Sequence, residues 1–226
     1  MVAKRWGDRW YFEDESPLPA RHMGCGRPFH GVLRCQRCDD VLHARDVAAG
    51  PAPPLSSPSS TTRRRAPGLH LLERVQPCPI ARTMTVIGDW WTNLVIREAF
   101  FGTTQFEEFR TQLGIATNIL SSRLQRLVDE GVLAKVEYQS WPTRHDYRLT
   151  DKGLDLYHLP LTTNAWGQRW LKPSVRLRLV HRPCHTHVRP VLTCEQCAEP
   201  ASRDDVEFAP PTTASPPLSG RRPRGS

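Results

Sequence analysis

The sequence predicts an α+β fold with a helical middle, one β-hairpin and a small Cys/His segment on each side. Three observations predict it. Apolar residues recur at helical spacing between residues 78 and 130, strand-forming residues alternate between residues 132 and 149, and one Cys/His pattern occurs twice. Residues 69–175 are therefore expected to fold as one domain.

Four stretches of this middle part are predicted to be helices, over residues 80–87, 91–101, 105–113 and 117–130. In the first, Ile80, Met84 and Ile87 share one face, as the core-facing positions of a helix do. Gly114 separates the last two helices. Two helices joined by a short glycine-containing turn are typical of a helix-turn-helix, whose second helix contacts DNA.

The fourth predicted helix carries a polar face opposite its apolar one. Hydroxyl and amide groups can hydrogen-bond to base edges, and arginine can reach phosphate or guanine. The alternative is an ordinary solvated helix face. DNA binding is favoured over this alternative because the helix is the second one of a helix-turn-helix. The predicted DNA-binding residues of this helix are Thr117, Asn118, Ser121, Ser122, Arg123, Gln125 and Arg126.

A β-hairpin is predicted after Gly131, with strands over residues 132–138 and 144–149. Arg144, near its tip, is predicted to contact the DNA backbone or the minor groove. Thr150 is predicted to cap a final helix that Pro160 kinks or interrupts. This order of elements predicts a winged helix-turn-helix domain, flanked by two small zinc-ribbon-like Cys/His segments.

The chain contains an internal repeat. Residues 6–10 (WGDRW) match residues 166–170 (WGQRW), and a His-x2-Cys-x9-Cys-x2-Cys pattern follows in each copy. Residues 1–49 are interpreted as the remnant of a first copy, formed by the end of a last helix and a ribbon-like segment. Residues 176–208 are the second ribbon-like segment. The main body of the first copy is either lost or lies upstream of Met1.

Three Cys and one His in each copy suit a structural, tetrahedral zinc ion. A segment of about 25 residues can bury only a small hydrophobic core, so a bound metal ion is expected to stabilise its fold. Disulfides, a redox Cys-x-x-Cys site and a cluster that no longer binds metal are the alternatives. The predicted ligands are His22, Cys25, Cys35 and Cys38 in the first copy and His181, Cys184, Cys194 and Cys197 in the second.

Composition separates the flanks from the middle. Residues 50–68 and 209–226 are rich in Pro, Ser and Arg, and are predicted to be a flexible linker and a disordered tail. The net charge of +8 lies outside residues 80–171, which hold 10 Lys and Arg against 10 Asp and Glu. Without a secretory signal or an apolar run of about 20 residues, the expected location is the cytoplasm, with no membrane partner.

Several motifs of the middle occur together: Cys78-Pro79-Ile80, Ile87-Gly88-Asp89-Trp90-Trp91-Thr92, Gly102 with Phe106, Gly114-Ile115, Leu120, Arg123-Leu124, Leu127, Gly131-Val132 and Tyr147-Arg148-Leu149-Thr150-Asp151-Lys152-Gly153. With them, residues 78–170 resemble the HxlR-type family of bacterial winged-helix regulators, relatives of the MarR-type. The resemblance implies a homodimer on palindromic double-stranded DNA, with a recognition helix in each major groove. It also implies that Cys78 is a candidate sensor of oxidants or electrophiles, the alternative being a small buried apolar side chain.

The chain departs from the family pattern at three places. Trp90 and Gln105 stand where the family usually has basic residues, so one phosphate contact is in question. Ala116 stands where a Ser commonly caps the recognition helix, and Thr117 is predicted to take over that cap.

These observations predict a sequence-specific, DNA-binding transcriptional regulator that acts as a winged-helix dimer, with Cys78 as the candidate for a response to redox or electrophile signals. The alternative is a zinc-ribbon interaction protein that uses the winged helix as a protein-binding scaffold. The zero net charge of residues 80–171 and the uncharged Gln105 are the observations that support this alternative. An enzyme is not predicted, because the sequence offers no nucleophile–base pairing, phosphate-binding glycine loop or open metal site.

Overall fold

A computed structural model of the chain describes residues 1–13, 15–50, 78–171 and 177–209. Nearly all of the predicted linker and tail lie outside these ranges. The helices are α1 (Val2–Tyr11), α2 (Pro79–Ile87), α3 (Trp90–Phe100), α4 (Phe106–Leu113), α5 (Thr117–Asp129), α6 (Asp151–Asp155) and α7 (His158–Trp170). The strands are β1 (Ala20–His22), β2 (Gly31–Cys35), β3 (Val47–Ala49), β4 (Leu133–Ser140), β5 (Thr143–Leu149), β6 (Leu179–His181), β7 (Thr186–His187), β8 (Pro190–Cys194) and β9 (Val206–Phe208).

The winged helix-turn-helix predicted for the middle is present. Helices α2 to α5 enclose a core whose fully buried members include Val95, Phe109, Leu120, Leu124 and Leu127. The four helices begin and end within one residue of the predicted bounds. None of the helices in the described ranges has the length and apolarity that a membrane span requires.

The predicted inner face of α2 is partly wrong. Val86 and Ile87 are buried, but Met84 is 47% exposed, and Thr83 takes the inner position instead. The reason is a neighbour that the helical periodicity does not reveal. Helix α1 packs along this side of α2, where the Thr83 hydroxyl donates hydrogen bonds to the carbonyl oxygens of Ala3 (2.7 Å) and Pro79 (3.0 Å).

The turn between α4 and α5 follows from local chemistry. The side chains of Gln105 and Glu108 form a capping box at the start of α4, and Gly114 ends that helix with φ +58°, a conformation that favours glycine. The prediction that Thr117 caps α5 is wrong. Thr117 is already the first helical residue, and Ala116 occupies the cap position without a side-chain hydrogen bond, since it has no acceptor to offer.

The hairpin and the final helix are as predicted, with sharper bounds. Strands β4 and β5 extend further than predicted, so that Trp141 and Pro142 alone form the tip. Thr150 caps α6 by accepting a hydrogen bond from the Gly153 amide at 3.1 Å. The helix interruption expected at Pro160 lies between α6 and α7, a few residues before Pro160. Pro160 itself is in the first turn of α7, where the amide hydrogen that proline lacks would make no hydrogen bond within the helix.

Helix α1 is part of the core of the winged helix. Trp6 is 2% exposed and its indole Nε1 donates to the Lys152 carbonyl at 3.0 Å. Trp10 Nε1 donates to the Asp155 carboxylate at 2.9 Å, and the Tyr11 hydroxyl donates to Glu130 at 2.6 Å. The N-terminal repeat copy is therefore an integral part of this fold. We call the surface that receives α1 the α1 seat; it is formed by Pro79, Thr83, Glu130, Lys152 and Asp155.

The two repeat copies pair with each other about an approximate two-fold axis. Strand β2 is antiparallel to β8, and Leu33 lies opposite its own repeat counterpart, Leu192. Strand β1 pairs with β9 and β3 with β6. The backbone bonds are reciprocal as well: Gln36 N donates to Arg189 O at 3.0 Å, and the counterparts of this pair, Glu195 N and His30 O, are 2.9 Å apart.

The helix ends that precede the two copies have different surroundings. Trp6 and Trp10 contact the α1 seat, whereas their counterparts Trp166 and Trp170 are 57% and 63% exposed. A Cβ atom added to Gly7 would lie 2.2 Å from the Pro79 carbonyl oxygen. One added to its counterpart, Gly167, would meet no atom closer than Leu171 Cδ1 at 4.0 Å, apart from the helix's own backbone.

We predict that Gly7→Ala destabilises the protein by about 1–3 kcal/mol, because the new methyl group forces α1 away from α2. Thermal unfolding followed by circular dichroism measures this. The control is Gly167→Ala, at the equivalent repeat position, which is expected to leave the melting temperature unchanged or to raise it, because alanine is the better helix former by about 1 kcal/mol. Equal melting temperatures for the two variants would contradict the docking of α1.

Candidate nucleic-acid interface and metal centres

The polar face predicted on α5 is open to solvent. Thr117, Asn118, Ser121, Ser122 and Gln125 are all exposed, while Leu120, Leu124 and Leu127 on the opposite side are buried. The Gln125 amide donates to Asp129 at 2.8 Å, a weak exposed contact within the same helix. The helix thus offers a row of hydroxyl and amide groups that can both donate and accept hydrogen bonds.

The two arginines of this helix have partners inside the protein. Arg123 Nε donates to Asp89 at 2.9 Å, and an Arg126 guanidinium nitrogen donates to the Thr85 carbonyl oxygen. Burial opposes ionisation of Asp89, but hydrogen bonds from Thr92 and Arg123 outweigh it and lower the pKa of Asp89. Asp89 also caps α3, so Arg123 joins the recognition helix to the start of α3. Both arginines therefore brace α5 against its neighbours.

The wing carries the exposed cation predicted there, together with an aromatic residue that the sequence reasoning missed. Arg144 is exposed on β5, and Trp141 at the tip is 91% exposed. At this exposure the Trp141 side chain contributes little to the packing of the residues that the structure describes. The signal that could have found it is a Trp-Pro pair in a predicted turn next to an arginine, since apolar side chains beside cations recur in minor-groove binding.

The wing is held at a fixed position relative to α4. The Tyr147 amide donates to the Thr104 carbonyl oxygen at 2.8 Å, and the Thr104 hydroxyl donates to Asp146 at 3.3 Å. Gln105, the residue that replaces a basic one in the family pattern, forms a bridge with Asp146 and also caps α4. Gln105 thus connects the wing to the helix-turn-helix through its backbone.

The predicted metal ligands come together in two clusters, but not in the predicted sets. The sequence predicts that each repeat copy holds its own ion. Each cluster instead takes one pair of ligands from each copy, because the copies lie antiparallel across the β2–β8 pair. Cluster A consists of His22, Cys25, Cys194 and Cys197, and cluster B of Cys35, Cys38, His181 and Cys184.

The geometry of both clusters fits a tetrahedral ion. The ligand atoms of each lie within 4.8 Å of one another. His22 Nδ1 is 3.4 Å from the sulfur atoms of both Cys25 and Cys197. In cluster B, His181 Nδ1 is 3.3 Å from Cys38 and Cys184, and Cys35 is 3.8 Å from Cys184. Zn–S distances of about 2.3 Å and Zn–N distances of about 2.0 Å would separate the ligand atoms by about 3.5–3.8 Å.

Two of these thiols are poised to ionise near neutral pH. Hydrogen bonds from Thr186 and His181 lower the pKa of the Cys184 thiol to about 6. The Arg27 backbone and the His22 side chain lower the pKa of Cys25 to about 7. Thiolates rather than thiols bind metal ions, so each cluster contains at least one ligand prepared for coordination.

Cys78 belongs to neither cluster. It is half-buried at the residue that precedes α2, with Pro79 as the first helical residue. Cys78 therefore occupies the N-cap position of α2.

The chain is similar to known helix-turn-helix proteins. A family model described as HxlR-like helix-turn-helix matches residues 86–175. An HTH-type transcriptional regulator of Mycobacterium tuberculosis, named as uncharacterised, is 38% identical over 144 residues, which cover 62% of this chain and 90% of that protein. YvaP of Bacillus subtilis, named in the same way, is 28% identical over 105 residues, or 46% of this chain and 97% of YvaP.

Among solved structures, the crystal structure of PA1607, described as a candidate transcription factor, is 36% identical in sequence. It superposes with a TM-score of 0.53 over 59% of this chain and 95% of its own. This likeness in fold agrees with the similarity in sequence to the mycobacterial regulator, which extends over 90% of that relative. The chain therefore belongs to the HxlR-like helix-turn-helix family.

Proposed function

We propose that the protein is a transcriptional regulator that binds double-stranded DNA in a sequence-specific manner. The observation that carries the proposal is the exposed row of Asn118, Ser121, Ser122 and Gln125 on a helix whose other side is buried in a helix-turn-helix. The names of the similar proteins, which are HTH-type transcriptional regulators, point the same way.

The charged and the neutral residues of this surface are proposed to have different roles. Arg123 and Arg126 hold α5 in place, so the neutral side chains beside them read the base edges in the major groove. Arg144 and the exposed Trp141 lie on the wing, where they would contact the DNA backbone or the minor groove. With few free cations in the winged helix, binding is expected to depend only moderately on salt.

We predict that Asn118→Ala and Ser122→Ala each weaken binding to the operator about tenfold or more, because a base-edge contact is worth about 1–3 kcal/mol. Fluorescence anisotropy with DNA from upstream of the protein's own gene measures the affinity. Both variants should melt at the wild-type temperature, since their side chains are exposed. The control is Thr111→Ala, an exposed uncharged residue on α4, outside the recognition helix, the wing and α7. Affinity that ignores DNA sequence in wild type and variants alike would overturn the proposal.

The alternative, a zinc-ribbon interaction protein with the winged helix as a scaffold, predicts a different result in the same assay. Such a protein would show no operator preference and no loss of affinity in Asn118→Ala. The exposed polar face favours the regulator, because protein-binding surfaces are centred on apolar or aromatic groups rather than on small hydroxyls.

We propose that the DNA-binding form is a homodimer in which a partner docks on the end of α7. Trp166 and Trp170 are exposed there, while their counterparts in α1 contact the α1 seat.

We predict that the wild-type protein forms a dimer in the presence of operator DNA and that Trp166→Glu prevents it, because a buried charge would be introduced into the contact. Sedimentation velocity measures the assembly. Phe208→Glu is the control, since it places the same charge on an exposed aromatic residue of strand β9, outside α7 and outside the wing. A wild-type protein that remains monomeric on its operator would reject the homodimer.

We propose that clusters A and B each hold a structural zinc ion. Three thiolates and one imidazole are a donor set typical of structural zinc, and the separations of the ligand atoms suit it. A bound ion would cross-link four side chains and supply no reactive position, because all four ligands come from the protein.

We predict about two zinc ions per chain in the purified protein, measured by inductively coupled plasma mass spectrometry. Cys25→Ser should lose one of them, because cluster A loses a thiolate, while Cys78→Ser should keep both. Zinc near zero in the wild type, with all thiols reactive, would refute the proposal.

A redox or electrophile response through Cys78 stays a prediction from the sequence. The proposal is supported by the family resemblance and by the position of Cys78 directly before α2, outside clusters A and B. Iodoacetamide labelling of the zinc-loaded protein at neutral pH tests it, with Cys78→Ser as the blank; labelling no faster than that of a free thiol would exclude it.

A further inference from the structure

We infer that clusters A and B act as a metal clasp that holds helix α1 in the α1 seat, so that zinc occupancy governs the integrity of the winged helix. The inference rests on the zinc sites proposed above. It goes beyond those sites by assigning the ions a structural role: they join the N-terminal segment to the segment that follows the DNA-binding domain.

The first support is the crossed ligation. In cluster A, His22 and Cys197 are 175 positions apart in the chain, and in cluster B, Cys35 and Cys184 are 149 positions apart. An ion bound within one repeat copy would stabilise that copy alone. An ion bound across copies ties the N-terminal segment to the segment that follows α7, and each of the two clusters does this.

The second support is the packing of cluster B against the winged helix. Cys35 belongs to a small buried core with Leu33, Leu42, Tyr157 and Leu161, the last two from the α6–α7 region. His158 Nε2 is 2.9 Å from the Leu42 carbonyl oxygen, and the Tyr157 ring meets Phe100 of α3 edge-on at 5.2 Å. Because Leu42 lies only four residues after the ligand Cys38, cluster B is joined through a short segment to the helical core.

The third support is what α1 contacts. Tyr11 bonds to Glu130, which directly follows the recognition helix α5, and Trp10 bonds to Asp155 at the end of α6. The Tyr11 ring also packs against the cations of Lys152 (4.2 Å) and Arg82 (4.4 Å). Release of α1 would therefore expose Trp6 and remove a support from the end of α5.

The crossed arrangement is tested by two matched double variants. Cys25→Ser with Cys194→Ser removes two ligands of one cluster, so one zinc ion per chain should remain. Cys25→Ser with Cys35→Ser removes two ligands of the same repeat copy but of different clusters, so no zinc should remain. The opposite result would mean that each copy binds its own ion and would overturn the clasp while leaving zinc binding intact.

The clasp itself is tested by cutting the full-length chain at a protease site inserted between residues 51 and 77. The N-terminal fragment is expected to stay with the rest of the protein in gel filtration while zinc is bound, and to separate once a chelator has removed both ions. The nicked Cys78→Ser protein is the control and should behave as the wild type. Continued association of the fragments after complete zinc removal would overturn the inference.

Hydrogen exchange on the uncut chain gives a second, independent measurement. Removal of zinc should speed amide exchange in residues 2–11 at least tenfold, while α4 should change least, because it lies outside the contacts of α1 and of cluster B. Unchanged exchange in residues 2–11 would contradict the clasp. A wild-type protein without zinc would instead refute the zinc proposal, so the two failures are distinguishable.

Discussion

The antiparallel pairing of the two repeat copies is the contact on which the rest of the structure depends. Leu33 lies opposite its own counterpart, Leu192, and the strands on either side pair in equivalent ways. This pairing brings the two halves of each Cys/His cluster together. It also places α1 beside α2, where Trp6 fills a position in the core of the winged helix.

A two-fold relation within one chain explains why equivalent residues have unequal surroundings. The two Cys/His segments are related by symmetry, but the residues that the structure describes contain a single winged helix to receive a helix end. Trp6 and Gly7 fit against it, whereas Trp166 and Gly167 face open space.

The recognition surface shows a related division between support and contact. Arg123 and Arg126 are the residues of α5 with the strongest attraction for phosphate, yet both have partners within the domain. Their bonds fix the helix in place and leave the neighbouring hydroxyl and amide groups free. A neutral recognition face of this kind suits readout of base edges more than general attraction to the backbone, in keeping with the balanced charge of residues 80–171.

The sequence by itself determined the local elements and the chemical groups. The helices from Pro79 to Asp129, the wing, the Thr150 cap and the eight candidate metal ligands could all be predicted, since periodicity, capping and ligand spacing act over a few residues. Only the tertiary structure decided which ligands share a cluster, which partners Arg123 and Arg126 have, and that Thr83 rather than Met84 faces inward. These three features depend on contacts between segments that are far apart in the chain. Such contacts are determined by how whole surfaces pack together, which the spacing of residues along the sequence does not reveal.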